Sequence, residues 1–434
     1  MSRLWRLTGC AVMAVMAGLT VMPASAATWS YNYTWATGDH AGQPAGSCAY
    51  TLPDIRPLQV PRTLVVDSAA PVGTVLYSWD FNSFLPGFRV QCTGSGIDNS
   101  TNSTNVNNGS ISGNLIVADF LITGMTLSTG FSGTNPVYAT TLPGIGIRFS
   151  VKADTDSAVD GAGTNYSYTT LYRVDGQASV SQAPRDVVYV WGGPIGPAAY
   201  LYTRIYATGP SSYRHSIQTI AQGISVKAEL IKTADTVQYG SLGVGGTPSI
   251  YWNTTAVLHP SLPTDLLAGN AITVVSPSCR LRTTDYNISM GTWAADTVNY
   301  TGTPATGAAV PVGLDLECSG QVADVQFRFE DTGSAPSTFA EKNVTLYDGG
   351  GSKVNGLEIQ MKYNGNRVNV DGVTQTSTGS HGQVRTDAES VPLYTSTSQA
   401  MFTANYIQNG PITVGGNNYT GPVSGKVNIW VTYN

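Results

Sequence analysis

Charge is what this 434-residue chain has least of. Asp, Glu, Lys and Arg together make up 11% of it, against about a quarter in ordinary soluble domains. The net charge is −5 and no cluster of Lys or Arg occurs. That removes the electrostatic footprint that nucleic acid or an anionic membrane face would require. Histidine is scarce too. His40, His215, His259 and His381 stand apart, and none forms a pair at metal-ligand spacing. There is no Cys-x-x-Cys, so a zinc site has no ligand set. Beyond residue 26 no apolar run approaches the ~20 residues that a membrane-spanning helix needs, and the chain is expected not to be membrane-inserted.

Signatures of catalysis are missing as well. Neither Gly-x-Ser-x-Gly nor a P-loop occurs. Gly243-Val-Gly245-Gly246 has part of the glycine spacing of a phosphate loop, but no helical pattern follows, and a linker is the better reading. Asp39-His40 and Ser380-His381 offer partners for a triad, with no pattern that assembles one. The expectation is a protein that is not an enzyme, with no catalytic residue, no cofactor and no metal.

What is abundant is Gly (48) and Tyr (23), with many Ser, Thr and Asn. Such a surface is neutral and rich in hydrogen-bonding groups, a common look for extracellular β proteins. The first residues read as a secretory signal: Arg3 and Arg6, an apolar stretch from Ala11 to Met22, and a small-x-small cleavage site at Ala24-Ser25-Ala26. Leu7-Thr-Gly-Cys10 is not a lipoprotein box, because the apolar core follows Cys10 when it should precede it. Removal of residues 1–26 leaves Cys48, Cys92, Cys279 and Cys318. Four cysteines allow three connectivities. The spacings of 44 and 39, with a long gap between them, favour Cys48–Cys92 and Cys279–Cys318. Each bridge would contribute ~3–4 kcal/mol through the entropy of the unfolded chain, and an oxidising compartment follows.

Helical periodicity is almost absent. Short strands punctuated by Gly, Asn, Asp and Pro predict an all-β chain of sandwiches or barrels. Trp29, Tyr31, Tyr33 and Trp35 share one face of the first strand, a core face. Residues 98–113 form a polar, low-complexity loop. Gly240 to Pro248, rich in glycine, reads as a connector. It places a domain boundary near residue 237: signal peptide 1–26, first domain 27–237, second domain 238–434, with a linker over about 238–270. Asn364-Gly365 between alternating runs predicts a hairpin. At the end of the chain Val427, Ile429, Val431 and Tyr433 alternate with Asn428, Trp430 and Thr432, the period of a two-faced strand.

Sugars are held by aromatic faces and hydrogen-bonding side chains on loops of a rigid scaffold. The first half offers such a set: Tyr200, Tyr202 and Arg204 on one face of a predicted strand, and Arg185, Asp186 and Trp191 just upstream. Any one of these aromatics is more often a core residue. Arg204 stands out in its row, since a charge on a core face is costly unless paired.

Three features of the second half coincide. Gly421 is the fourteenth residue counting back from the end, Tyr433 is penultimate, and apolar residues alternate between them. Phe402-Thr-Ala-Asn-Tyr406 and Thr413-Val-Gly-Gly416 precede that ending. Val274-Val-Ser-Pro-Ser-Cys279 and Leu314-Asp-Leu-Glu-Cys318 open the region. Together, over about 165 residues from Ala271 to Asn434, they resemble the pilin domain of chaperone–usher fimbrial subunits of Gram-negative bacteria. The resemblance implies an immunoglobulin-like or jelly-roll sandwich that lacks its last strand. A donor strand from another chain would fill the groove beside Gly421, Val427, Ile429, Val431 and Tyr433, first from the periplasmic chaperone, then from the adjacent fimbrial subunit, with an outer-membrane usher between the two. About 210 residues precede this region, which matches the two-domain tip adhesin form of the family. The first half is similar to the receptor-binding, lectin-like domains of such adhesins, those of type 3 fimbriae among them, without a residue-by-residue motif. The implied function is attachment, from the fimbrium tip at the cell surface, to a host glycan or extracellular-matrix protein. The rival readings are a structural fimbrial subunit with a spacer domain and a secreted carbohydrate-active β protein.

Overall fold

The computed structural model describes residues 27–433 apart from 36–38, 96–97, 101–105, 108–114, 129–135, 157, 160–164, 172–181, 193–197, 209–212, 218–219, 255–256, 259–264, 294–304, 336, 338–341 and 386–391. The expected signal peptide, residues 1–26, lies outside the described residues.

Alternation builds the first unit. In the strand Pro44–Leu52, Cys48, Tyr50 and Leu52 face inward and their neighbours outward, as period 2 requires. Its sheet runs in the order Val188–Trp191, Ile145–Ala153, Ile220–Lys232, Leu85–Gly94, Pro44–Leu52, Ala27–Trp35 and Val106–Asn107, with Val75–Trp79 and Tyr138–Ala139 off this path. A second sheet joins Ala158–Val159, Asn165–Leu171, Ala198–Thr208, Leu115–Thr123, Ser249–Thr254 and Val257–Leu258. Phe120, from the second sheet, meets Phe88 at 4.1 Å and stacks on Trp191 at 5.3 Å between ring centroids. The two sheets therefore share one aromatic core in a sandwich-like arrangement. Each such ring contributes about 1.5–3 kcal/mol on burial. Tyr33 and Trp35 lie in this core, and Trp29 and Tyr31 pack against it. The hydroxyls of Tyr33 and Tyr50 satisfy each other at 2.9 Å. Burial pushes the Tyr33 phenol up to about 12 and Tyr50 further in the same direction, so both stay neutral.

The linker expected over 238–270 is corrected by the strands found there. Ser249–Thr254 pairs with Leu115–Thr123, and Gly240–Leu242 pairs with Ile272–Val275. Leu242, Val244, Leu266, Leu267, Ile272 and Val274 are buried in the first unit's core. The glycines there serve close packing: a Cβ on Gly243 would stand 2.6 Å from the Gly269 carbonyl oxygen, and one on Gly246 would stand 2.3 Å from that of Gly124. The first core thus runs to Val274, and the next bonded strand, Cys279–Leu281, belongs to the second unit.

The second unit opposes unequal sheets. The larger runs Cys279–Leu281, Val310–Cys318, Ser396–Val414, Lys353–Tyr363 and Val344–Tyr347. The smaller has three strands, Asp371–Ser377, Val325–Asp331 and Val427–Tyr433. Phe402 of the larger meets Phe327 at 5.4 Å and Phe329 at 5.0 Å, both edge to face, a favoured aromatic geometry. Asn364 and Gly365, both at positive φ (48° and 78°), close the hairpin between Lys353–Tyr363 and Asn366–Val368, the conformation a two-residue Asn-Gly turn supplies. Both expected disulfides, Cys48–Cys92 and Cys279–Cys318, are present, each joining directly opposed residues of neighbouring strands.

Candidate functional site: an open groove in the second unit

Three strands cannot cover the inner face of a wider sheet. The consequence is a groove of about 1150 Å³. Its floor is the inner face of the larger sheet, with Val312, Leu314, Ile359, Met361, Ala404 and Tyr406 from three neighbouring strands. One wall is the last strand, through Val427 and Ile429, backed by Phe329. The opposite wall is the extended segment Thr284–Gly291. One end is shut where Ser424 and Tyr347 exchange two backbone hydrogen bonds of 2.9 Å, beside Leu346 and Val423.

The last strand pairs on one side with Val325–Asp331, in the register Phe329↔Ile429 and Phe327↔Val431. Among the described residues no strand pairs with its other side. Backbone N–H and C=O groups on such an edge are a template for another strand. On the strand's outer face the Arg328 guanidinium lies 4.3 Å from the centre of the Trp430 ring. The opposite wall is anchored by Tyr286, whose hydroxyl accepts the Asp315 N–H (3.2 Å) and donates to the Asp315 carbonyl (3.3 Å). Burial pushes the phenols of Tyr286 and Tyr406 up, so the groove presents no ionised phenol. An apolar floor beside an unpaired edge suits an extended peptide that hydrogen-bonds through its backbone and buries alternate side chains.

Of the five residues singled out for this region, Val427 and Ile429 line the groove. Val431 packs against the core, and Gly421 and Tyr433 are exposed outside the lining. The floor residues carry the strand period but no mark that separates an open face from a covered one.

The residues singled out in the first unit do not form one cluster. Trp191 is fully buried against Phe120, a core residue with no face to present. Arg185 and Asp186 are exposed and paired at 3.2 Å, and the Asp186 carboxylate also accepts from Lys152 at 2.9 Å. That hydrogen bond and the charges of Lys152 and Arg185 hold the Asp186 carboxyl below its usual range. Tyr200, Tyr202 and Arg204 alternate with the core residues Ala199 and Leu201 in the strand Ala198–Thr208; their side chains lie outside the described residues.

No known family profile matches the chain. A relative named "Fimbria adhesin protein" from Klebsiella pneumoniae is 29% identical over 236 residues, which is 53% of this chain and 56% of the relative. The chain is similar to a fimbrial adhesin. It spans about half the length of that relative. Among solved structures, the CupB6 tip adhesin from Pseudomonas aeruginosa aligns at a TM-score of 0.42 and 15% identity, covering 89% of this chain and 93% of that one. The receptor binding domain of the plasmid-born adhesin MrkD1P of Klebsiella pneumoniae aligns at 0.20 and 18%, covering 59% and 99%. The sequence relative, and not these weaker likenesses, supports the functional reading below.

Proposed function

We propose that this chain is a fimbrial tip adhesin, without enzymatic activity, exported through the periplasm to the cell surface. The single observation that carries the reading is the open groove beside the free edge of Val427–Tyr433, in a chain similar to a fimbrial adhesin. Residues 27–275 form the presented unit. Residues from 279 onward are the anchor, which accepts a donor strand. A strand laid along the last strand completes the smaller sheet and buries its own alternate side chains in the groove, at about 1.5–3 kcal/mol per fully buried side chain. A periplasmic pilus chaperone supplies it first. The adjacent fimbrial subunit supplies it after passage through the usher.

The anchoring half of the proposal is tested by replacing Val427 and Val431 with Lys together. Recovery of a chaperone complex from the periplasm should be lost, and normal recovery would contradict the assignment. The presenting half is tested by probing glycan and matrix-protein arrays with the full chain. Binding to a glycan or a matrix protein supports an adhesin. Silence on every array supports a structural subunit whose first unit is a spacer.

A further inference from the structure

The two units are joined covalently by one short stretch, Ser276-Pro277-Ser278, between the strands Ile272–Val275 and Cys279–Leu281. A single tether of this kind leaves rotation free, and relative motion is the default for units joined so. A second connection lies beside it. The strand Arg62–Val65 runs parallel to Ile272–Val275, and the Val66 N–H continues the ladder to the Val275 carbonyl at 3.0 Å. The next residue is Asp67, an acid that is only 3% exposed. One carboxylate oxygen accepts the Ala69 N–H at 2.8 Å, within its own turn. The other accepts two backbone N–H groups of the second unit, those of Gln321 at 2.9 Å and Arg385 at 3.2 Å.

We propose that Asp67 is the pin that fixes the two units in one orientation. The receptacle is built by the second unit. Val322 and His381 exchange backbone hydrogen bonds of 2.9 and 3.0 Å, which clamp the two loops carrying Gln321 and Arg385 side by side. His381 is held in turn by the hydroxyls of Thr378 (2.9 Å) and Ser398 (2.7 Å). The loops approach so closely that a Cβ on Gly382 would stand 2.1 Å from the Gly320 carbonyl oxygen. A Cβ on Gly320 would press on the tether at 2.9 Å from Pro277 Cβ and on Asp67 Oδ2 at 3.3 Å. A buried carboxylate aimed at two amides has a narrow range of acceptable geometry, and hydrogen bonds to an ionised acceptor are the strong ones. Rotation about Pro277 would break both bonds and leave a charge and two donors unpaired, which is what burial penalises. The pin and the tether therefore give two points of attachment, and a turn about the tether alone breaks the pin.

The test measures the distance between spin labels on the full chain, one at Ser30→Cys in the first unit and one at Val373→Cys in the second, both exposed positions. The unsubstituted junction should give one narrow distance. Asp67→Ala should lose that peak to a broad distribution while the near-ultraviolet spectra of the two cores are kept. Gly320→Ala attacks the same contact from the other unit and should broaden the distance as well. If Asp67→Ala does not fold, Gly320→Ala decides alone. A narrow peak retained by every folded variant, or a broad distribution with Asp67 and Gly320 both in place, overturns the proposal.

Discussion

The two units solve one problem differently. In the first, two broad sheets meet through Phe88, Phe120 and Trp191, and the strands of residues 240–275 return to seal the core. In the second, three strands face a wider sheet, and the apolar floor of Leu314, Ile359 and Met361 lies beside an edge that is unpaired among the described residues. Both are alternating β structures with one disulfide each. The difference lies in the number of strands opposite the larger sheet: the second unit has three, and a groove lies beside the last of them.

The largest effect is expected from a charge in the groove wall. Ile429→Lys should abolish the complex with a strand-donating partner, whereas Thr432→Lys, at an exposed position of the same strand, should leave it intact; co-purification from the periplasm reads both. Next in size are the cores. Phe149→Ala and Phe402→Ala should each destabilise their own unit by about 3–5 kcal/mol, measured by denaturant unfolding. Only the Phe402 variant should be partly restored when a strand fills the groove. Removing a disulfide comes third. Cys48→Ser with Cys92→Ser should lower the first unit's transition, and Cys279→Ser with Cys318→Ser the second's, each by ~3–4 kcal/mol.

The smallest effect is on pH. Burial depresses the His381 pKa below its ordinary 6.5, against the opposing pull of Thr378 and Asp324. The unfolded chain then binds the proton more readily than the folded one. Stability from this group is complete above pH 6.5, declines as pH falls through that value, and levels off below the depressed folded pKa. Melting curves between pH 8 and 5 should show the decline in the second unit, and His381→Gln should remove it. A carboxylate in the same unit acts at more acid pH. Burial raises the Asp371 pKa, but hydrogen bonds from the Thr374 and Val373 amides and the Thr374 hydroxyl outweigh it, so the carboxyl stays well below the usual range. Its contribution is complete above the ordinary carboxyl value of 3.8, declines as pH falls below it, and is gone below the depressed folded pKa.

Much of the second unit was legible because its signals are local. The alternation of Val427 to Tyr433, the Asn364-Gly365 turn and the cysteine spacings are each properties of a few residues, and each is found as expected in the fold. The groove's extent was not legible. Met361 and Ala404 are buried members of the second core and follow the same period as the rest of it, and the groove beside them depends on how many strands lie opposite. Trp191 illustrates the reverse. Beside Arg185 and Asp186 it looked like part of a polar binding set, but its strand position turns it onto Phe120. The segment after Lys232 misled for a third reason: glycine marks close backbone approach as often as flexibility, and at Gly243 and Gly246 it marks approach.

The central claim, that the second unit is one strand short, is tested most directly by calorimetry of the purified full chain without partners. The chain should aggregate or melt early in its second unit, and the transition should rise when a chaperone or donor strand is bound. A monomer whose two units are both stable alone, and whose melting is unchanged by the added strand, would contradict it.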